Sequence, residues 1–251
     1  MAALLKQVFT HGARGVLHRC DFKPPASGEA CVVLFDSASW RRYSGEASAL
    51  LDQAERTRAA RFRHARDRDT YVLAHAMWRE VLGLWLGVDA AQVPLSSTPS
   101  GQPILTGSAY ATSLSHSGTQ VAIAVADAAT IGVDIELSSP RAALRELADV
   151  LCSTDEAAYL ASLPPAEQEP WLLTLWTRKE ALLKAFGVGL KEAPSGMSLI
   201  GSDVMTPPAS ADGAPACRVH PLLLPAGLVG AWAAPLNVAS CSLYVLGPLP
   251  P

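Results

Sequence analysis

A strand with strict alternation in the middle of the chain most restricts the possible folds. From Ile131 to Leu137 every second residue is aliphatic, and a glycine and two carboxylic acids occupy the positions between. This period of two predicts a β-strand with one apolar and one polar face. Asp134 and Glu136 share the polar face, where their Cα atoms are roughly 7 Å apart. Such a pair can converge on one hard cation, but a strand with one face in water has the same pattern.

A long amphipathic helix is predicted further along the chain, over about residues 167–186. Its apolar residues recur at helical spacing, and Gly187 is a typical stop signal. Three side chains lie in one row beside the apolar stripe: Trp176, Glu180 and Lys184. Glu180 and Lys184 could join a site for metal and phosphate, or form an ordinary solvent-exposed ion pair.

The order of predicted elements indicates a mixed α/β (α+β) fold, because helical and strand-like segments alternate. We expect a helix over about residues 45–62, strands near 111–115 and 119–126, and two final strands within 228–246. The main domain boundary is placed near residue 130. This division gives an N-terminal half over residues 1–130 and a C-terminal half over residues 131–251.

Composition excludes several classes of protein. Hydrophobic residues make up 49% of the 251 residues, which is enough for a sizeable core, and the net charge of −3 argues against nucleic-acid binding. The longest apolar run, Val121 to Ala126, is too short to cross a membrane, and the first residues do not resemble a secretory signal. Five scattered cysteines predict neither a zinc site nor a disulfide framework. We therefore expect a cytoplasmic protein with free thiols.

Two polar segments are candidates for binding an anion. Six arginines and His64 are concentrated within positions 56–68, which favours a phosphate ligand, although a solvated helix face has a similar composition. The segment Ser113–Gly118 contains adjacent serine and histidine residues, but the chain has no G-x-S-x-G elbow and neighbouring strand residues face opposite ways. Phosphate contact or a simple polar turn therefore fits this segment better than a hydrolase dyad.

Together these segments resemble the 4′-phosphopantetheinyl transferases of the surfactin-synthetase-activating type. The family signature G-[IV]-D-[IV]-E corresponds to Gly132–Glu136, and W-x-x-K-E-[AS]-x-x-K-x-x-G-x-G-L corresponds to Trp176–Leu190. Three upstream pieces also match: Ser115-His116-Ser117, Gly101-Gln102-Pro103 and the arginine-rich region Glu55–Tyr71. The resemblance spans about residues 50–190.

The resemblance implies a fold and a reaction. The fold is two similar α/β halves around a pseudo-twofold axis, with coenzyme A in the cleft between them, and the chain is expected to be a monomer. The reaction moves 4′-phosphopantetheine from coenzyme A to a serine of an apo acyl or peptidyl carrier protein and releases adenosine 3′,5′-bisphosphate. Carriers of fatty-acid, polyketide, nonribosomal-peptide and siderophore systems all remain open.

The resemblance also implies roles for individual residues. Asp134, Glu136 and Glu180 become Mg²⁺ ligands, Glu180 also activates the incoming serine, and Lys184 holds the pyrophosphate. The expected coenzyme A contacts are Arg58, Ser115, His116 and Lys184 at the phosphates, and Ser100, Gly101, Gln102 and Pro103 around the adenine.

Three positions depart from the family pattern. Glu55 and Gln102 stand where basic residues are common, and Thr70 stands where arginine is common. The contacts with coenzyme A in the first half are therefore less firmly mapped than the metal ligands. Two other functions are compatible with the motifs: a non-catalytic coenzyme A or nucleotide-binding protein, and a Mg²⁺-dependent pyrophosphate hydrolase that needs no carrier.

Overall fold

The computed structural model describes residues 2–139, 144–211 and 213–248. The helices are α1 (Ala2–Arg19), α2 (Ser44–Ala47), α3 (Gln53–Ala59), α4 (Ala65–Leu86), α5 (Ala148–Leu151), α6 (Thr154–Ser162) and α7 (Pro165–Phe186). The strands are β1 (Glu29–Asp36), β2 (Leu95–Ser97), β3 (Pro103–Leu105), β4 (Ala111–Ser117), β5 (Gln120–Ala126), β6 (Gly132–Leu137), β7 (Val204–Met205), β8 (Cys217–Pro221), β9 (Leu228–Pro235) and β10 (Ser240–Leu246). The predicted mixed α/β class is confirmed.

Two four-stranded sheets form the framework of the molecule. The first has the strand order β10-β1-β5-β4, in which only β10 and β1 are parallel. The second has the order β6-β9-β8-β7 and is antiparallel throughout. Strands β2 and β3 form a separate hairpin.

The last strand of the described chain returns to the first sheet. Strand β10 pairs with β1 in register from Glu29 opposite Ser240 to Phe35 opposite Leu246. A cut at residue 130 would separate β10 from the strand to which it is hydrogen-bonded. The division at residue 130 and the pseudo-twofold relation of the halves stay predictions.

Three apolar clusters fill the space around the sheets. One packs α1 and α4 against the first sheet, with Trp40 and Met77 fully buried. A second packs α7 against the second sheet. The third contains residues of both sheets, including Val32 of β1, Ile135 of β6 and Trp232 of β9, so the two sheets share a core. This shared core fixes the position of β6 relative to the first sheet.

A glycine allows β6 to approach α7 closely. A Cβ atom at Gly132 would overlap the carbonyl oxygen of Ala181 in α7, so only glycine fits at this position. The polar face of β6 is consequently covered by the helix, and Asp134 is only 5% exposed. The interpretation of this strand as one with its acidic face in water is therefore wrong.

Most predicted elements near the motifs are present. Helix α7 covers the predicted helix over residues 167–186, and Gly187 ends it with a positive φ of 70°. The strands expected near 111–115, 119–126 and 131–137 correspond to β4, β5 and β6. The two expected final strands correspond to β9 and β10.

The continuous helix expected over about residues 45–62 is wrong. Leu51 and Asp52 have extended backbone conformations, which separate α2 from α3. The side chain of Asp52 accepts a hydrogen bond from the Glu55 amide, and the Glu55 side chain accepts one from the Asp52 amide. This reciprocal capping box starts a new helix at Gln53.

Two further expectations concern cysteines and membranes. All five cysteines are free thiols, as expected. None of the helices within the described ranges is both long enough and apolar enough to span a membrane.

Candidate active site

A cleft with a volume of about 730 Å³ lies between the first half of the chain and the end of α7. One wall contains residues of α3 and α4, including Arg58, Tyr71 and His75. The β2–β3 hairpin and β4 line other parts, and Lys184 and Gly187 close the end formed by α7. The volume is within the usual range for small-molecule sites. Motifs that are far apart in the sequence therefore meet at one concave surface.

Four charged side chains gather where β6 meets α7, and we call them the open cluster: Asp134, Glu136, Glu180 and Lys184. Lys184 Nζ donates to Asp134 Oδ1 at 2.7 Å and to the Val133 carbonyl at 3.0 Å. Within the described residues, four buried side-chain polar atoms lack a hydrogen-bond partner, and two of them are Asp134 Oδ2 and Glu180 Oε1. Unpartnered buried carboxylate oxygens are costly, so these two oxygens are candidates to accept a further partner.

The electrostatics of the open cluster also favour a bound cation. Burial raises the pKa of Glu180, and the neighbouring charges of Asp134 and Glu136 raise it further while Lys184 opposes them. Burial likewise raises the pKa of Glu136, against the hydrogen bond from Ser117 and with the charge of Asp134. One lysine therefore does not balance three carboxylates, and added positive charge would stabilise their ionised forms.

The residues present fit a magnesium ion. Within residues 2–139, 144–211 and 213–248, no group of three His, Cys, Asp or Glu side chains is already arranged to enclose a metal ion. Mg²⁺ does not require such a cage, because it usually keeps several waters and binds one or two carboxylates together with substrate phosphates. The free oxygens of Asp134 and Glu180 provide that partial set of ligands.

The lysine next to Glu180 belongs to a different group, which we call the closed cluster: Lys179 and Glu156. Both side chains are fully buried. Lys179 Nζ donates to Glu156 Oε2 and to the carbonyls of Leu151 and Pro194. The Glu156 carboxylate also accepts from the amides of Ser153 and Leu199. Every charged atom of this pair has a partner, so the cluster is structural.

Several of the residues expected at coenzyme A line the cleft. Arg58, His116 and Lys184 do so, and so do Gly101, Gln102 and Pro103. Desolvation lowers the pKa of His116, and the positive charge of Lys184 lowers it further. Part of the His116 side chain is exposed to solvent. The other two residues have different surroundings. The Ser100 hydroxyl is hydrogen-bonded to that of Thr98, and Ser115 is bonded to β6.

The amide of Gln102 connects the hairpin to the end of α7. Gln102 Nε2 lies 3.3–3.4 Å from the carbonyls of Lys184 and Ala185 and from the Thr130 hydroxyl. The Gln102 amide lies close to Gly187, where a side chain would displace it, and the positive φ of Gly187 favours glycine at this position. Gln102 thus holds the loop against the helix that carries Glu180 and Lys184.

Sequence reasoning missed a second charged group on the opposite wall. His75 Nδ1 donates to Glu55 Oε1 at 2.9 Å, and Arg79 Nε donates to Glu55 Oε2 at 2.8 Å. Arg79 also donates to Asp52 and to the Val93 carbonyl. The i, i+4 spacing of His75 and Arg79 on a helix was the available signal. Glu55 therefore balances this buried arginine instead of meeting a phosphate.

Comparison with known proteins extends these observations. The sequence model described as 4′-phosphopantetheinyl transferase superfamily matches residues 130–227, and the one described as 4′-phosphopantetheinyl transferase, N-terminal, matches residues 38–128. Their meeting point coincides with the loop between β5 and β6.

Individual relatives are similar over part of their length. The 4′-phosphopantetheinyl transferase HetI of Nostoc sp. is 35% identical over 148 residues, which cover 57% of this chain and 62% of HetI. The transferase AcpT of Escherichia coli is 40% identical over 74 residues, covering 30% of this chain and 38% of AcpT. The transferase Sfp of Bacillus subtilis is 29% identical over 143 residues, covering 57% of this chain and 62% of Sfp. The alignments thus span less than two thirds of each of these relatives.

The two family matches together cover about three quarters of the sequence, and both signature motifs lie at the cleft or at the junction of β6 and α7. The resemblance inferred from the motifs is confirmed, and the chain belongs to the 4′-phosphopantetheinyl transferase superfamily.

Proposed function

We propose that this protein transfers 4′-phosphopantetheine from coenzyme A to a serine hydroxyl of an apo acyl or peptidyl carrier protein, with Mg²⁺ as cofactor. The observation that carries the proposal is the pair of buried, unpartnered oxygens on Asp134 and Glu180, beside a lysine that lines a cleft of about 730 Å³. Family membership supports the same reaction class.

Asp134, Glu136 and Glu180 would hold the magnesium ion. When bound, Mg²⁺ neutralises the negative charge that builds on the pyrophosphate oxygens during phosphoryl transfer. The three carboxylates come from two elements, β6 and α7. These elements can lie in contact because Gly132 has no side chain. A backbone held in this way would reduce the reorganisation that the carboxylates need during the reaction.

Glu180 would accept the proton of the attacking serine. Its Oε1 has no protein partner, whereas a carboxylate saturated by hydrogen bonds would be a poor proton acceptor. Glu180 lies on the same row of α7 as Lys184, one turn away. The Glu180 carboxylate and the Lys184 ammonium would therefore act on neighbouring atoms of the serine and the pyrophosphate.

Lys184 and the first-half residues would bind coenzyme A. Lys184 is partly exposed, so its ammonium can leave the Asp134 carboxylate and contact the pyrophosphate. His116 and Arg58 line the same cleft and would contact phosphates further along it. The backbone of the 101–103 loop would line the adenine, since the Gln102 amide is already bonded to α7.

The direct test is incubation of the purified protein with coenzyme A, Mg²⁺ and a panel of apo-carrier proteins, read by intact-mass spectrometry. We expect one phosphopantetheine added to the carrier serine, and no addition to a carrier whose serine is replaced by alanine. Omission of the divalent cation in the presence of a chelator should abolish the reaction.

Two results would contradict the proposal. The first is failure to modify any carrier that a known transferase modifies under the same conditions. The second is consumption of coenzyme A at the same rate without a carrier, which would instead indicate the pyrophosphate hydrolase.

A further inference from the structure

The edge of β6 that faces β4 is held by serine side chains. Strand β6 pairs through its other edge with β9, and β4 pairs with β5. Between β4 and β6, three hydroxyls on one face of β4 accept hydrogen bonds from alternate amides of β6. These bonds are Val133 N to Ser113 Oγ at 3.1 Å, Ile135 N to Ser115 Oγ at 3.3 Å, and Leu137 N to Ser117 Oγ at 3.2 Å. We call these three residues the serine ladder.

Two residues of the serine ladder also donate a hydrogen bond to a carboxylate, whereas the Ser113 hydroxyl bonds to the β6 amide alone among the described residues. The Ser115 hydroxyl donates to Asp134 Oδ1 at 2.8 Å, and the Ser117 hydroxyl donates to Glu136 Oε2 at 2.6 Å. Ser113 lies beside Gly132 in the same pattern, where no carboxylate exists. A hydroxyl can accept and donate at once, so one serine can fix both the strand and the carboxylate.

The donors at Asp134 are all on one oxygen. Ser115 Oγ and Lys184 Nζ both donate to Oδ1, and Oδ2 of the same carboxylate is buried without a partner. The final torsion of an aspartate side chain is broad, so without a donor the carboxylate can rotate. Ser115 therefore acts together with Lys184 to hold the orientation in which Oδ2 has no protein partner.

We propose that Ser115 and Ser117 are positioning residues that orient Asp134 and Glu136 for metal binding, whereas Ser113 holds β6 and lines the cleft without bonding to a carboxylate of the open cluster. This inference rests on the proposed function, because the metal is the one assigned there. It also gives the Ser-His-Ser segment a role at the metal in addition to a role at phosphate. The two serines lie on β4 of the first sheet, and the carboxylates that they orient lie on β6 of the second sheet. Their hydrogen bonds therefore connect the first sheet to the proposed metal site.

Matched variants separate positioning from structure. Ser113→Ala, Ser115→Ala and Ser117→Ala each remove one acceptor of a β6 amide, but only the last two remove a donor to a carboxylate. The probe is Mn²⁺ binding without coenzyme A, measured by electron paramagnetic resonance, because Ser113 itself lines the cleft proposed for coenzyme A. We expect Ser115→Ala and Ser117→Ala to weaken Mn²⁺ binding about 10-fold or more, the usual scale for losing a partner of a metal ligand. Ser113→Ala should bind Mn²⁺ like the wild type.

A conservative variant and an unfolding measurement complete the test. Ser117→Thr keeps the hydroxyl at a half-buried position and should restore Mn²⁺ affinity. Thermal unfolding should show similar stability losses in all three alanine variants. If Ser115→Ala does not fold, the comparison of Ser117→Ala with Ser117→Thr decides the question at Glu136.

The outcomes distinguish this inference from the proposed function. Equal Mn²⁺ affinities in the three alanine variants, or no Mn²⁺ binding by the wild type, would overturn the positioning role. Metal binding that follows the expected order, in a protein that modifies no carrier, would support the positioning role and contradict the transferase proposal.

Discussion

The closed cluster and the open cluster each pair a lysine of α7 with carboxylates, but their hydrogen bonding is opposite. Lys179 and Glu156 are fully buried, and Lys179 Nζ donates to a carboxylate and two carbonyls. Lys184 is partly exposed and donates to Asp134, while an oxygen of Asp134 and one of Glu180 remain without partners. Adjacent positions in the sequence, Lys179 and Glu180, thus belong to different clusters.

The difference separates residues that hold the fold from residues that can accept a further partner. A buried ion pair whose remaining donors and acceptors are all satisfied has no capacity for a further partner. A group with buried, unpartnered carboxylate oxygens has that capacity, and it keeps an energetic cost until a cation arrives. The motif W-x-x-K-E therefore contains a structural lysine followed by a glutamate for which we propose a functional role.

The largest effect should follow from breaking the closed cluster. Lys179→Met leaves the Glu156 carboxylate buried without its ammonium, which should lower the free energy of unfolding by about 3–5 kcal/mol. Urea denaturation followed by circular dichroism measures this change. The exposed Lys191→Met serves as the matched control and should unfold like the wild type. A stable Lys179→Met protein without transferase activity would assign the lysine to the reaction instead.

Glu55 is a second carboxylate whose oxygens have hydrogen-bond partners, and it allows the same comparison to be tested through the pH dependence of stability. Its burial opposes ionisation, but hydrogen bonds from His75 and Arg79 lower the pKa of Glu55 to about 2, against an ordinary 4.5. The stabilisation is therefore fully present above pH 4.5 and is lost as the pH falls toward 2.

Glu55→Gln should consequently cost about 3 kcal/mol of stability at pH 7, by the conversion of a pKa shift into free energy. Wild type and variant should converge as the pH falls from 4.5 to 2. Urea midpoints at pH 7, 4 and 3 measure the difference. A stability difference that does not change with pH would show that the carboxylate charge is not its source.

In the open cluster the corresponding substitution should affect turnover and leave stability unchanged. Glu180→Gln should reduce turnover about 100-fold or more, equivalent to about 2.7 kcal/mol of activation free energy, because a general base is lost. The unfolding midpoint should stay at or above that of the wild type, since one of three mutually repelling carboxylates is removed. The measurement is turnover at saturating Mg²⁺ on well-folded protein. Near wild-type turnover would exclude Glu180 as the base.

Local patterns in the sequence predicted the two elements that carry the open cluster. Alternation at residues 131–137 and the helical stripe over 167–186 identified β6 and α7, because each element carries its own period in the sequence. The signatures then brought Asp134, Glu180 and Lys184 together without any knowledge of the sheets. Local patterns were sufficient for these residues.

The remaining features depend on contacts distant in sequence. The parallel pairing of β10 with β1 joins residues about two hundred positions apart, and no local pattern encodes it. The interpretation of residues 45–62 as one helix overlooked the reciprocal cap of Asp52 and Glu55, which breaks an otherwise helical composition. The burial of Lys179 and the serine ladder likewise follow from packing between elements.

The smallest effect should appear at the wall of the cleft formed by α3 and α4, which carries no residue of the open or the closed cluster. Arg58 is exposed, lines the cleft, and has its guanidinium carbon 5.8 Å from the centre of the Tyr71 ring. Arg58→Ala should weaken coenzyme A binding by about 1.5–3 kcal/mol, the scale of a charge-assisted hydrogen bond. It should leave Mn²⁺ affinity unchanged, because Arg58 lies on α3, whereas the open cluster lies on β6 and α7.

Arg66→Ala provides the control, since Arg66 belongs to the same basic segment but does not line the cleft. Calorimetry with coenzyme A should give wild-type affinity for Arg66→Ala and reduced affinity for Arg58→Ala. Turnover at saturating coenzyme A should be close to wild type in both variants, because only the Michaelis constant depends on this contact. Equal losses of affinity in the two variants would mean that the arginine-rich segment acts through its overall charge. The ligand contact would then begin at His116 and Lys184, and Arg58 would have no specific role.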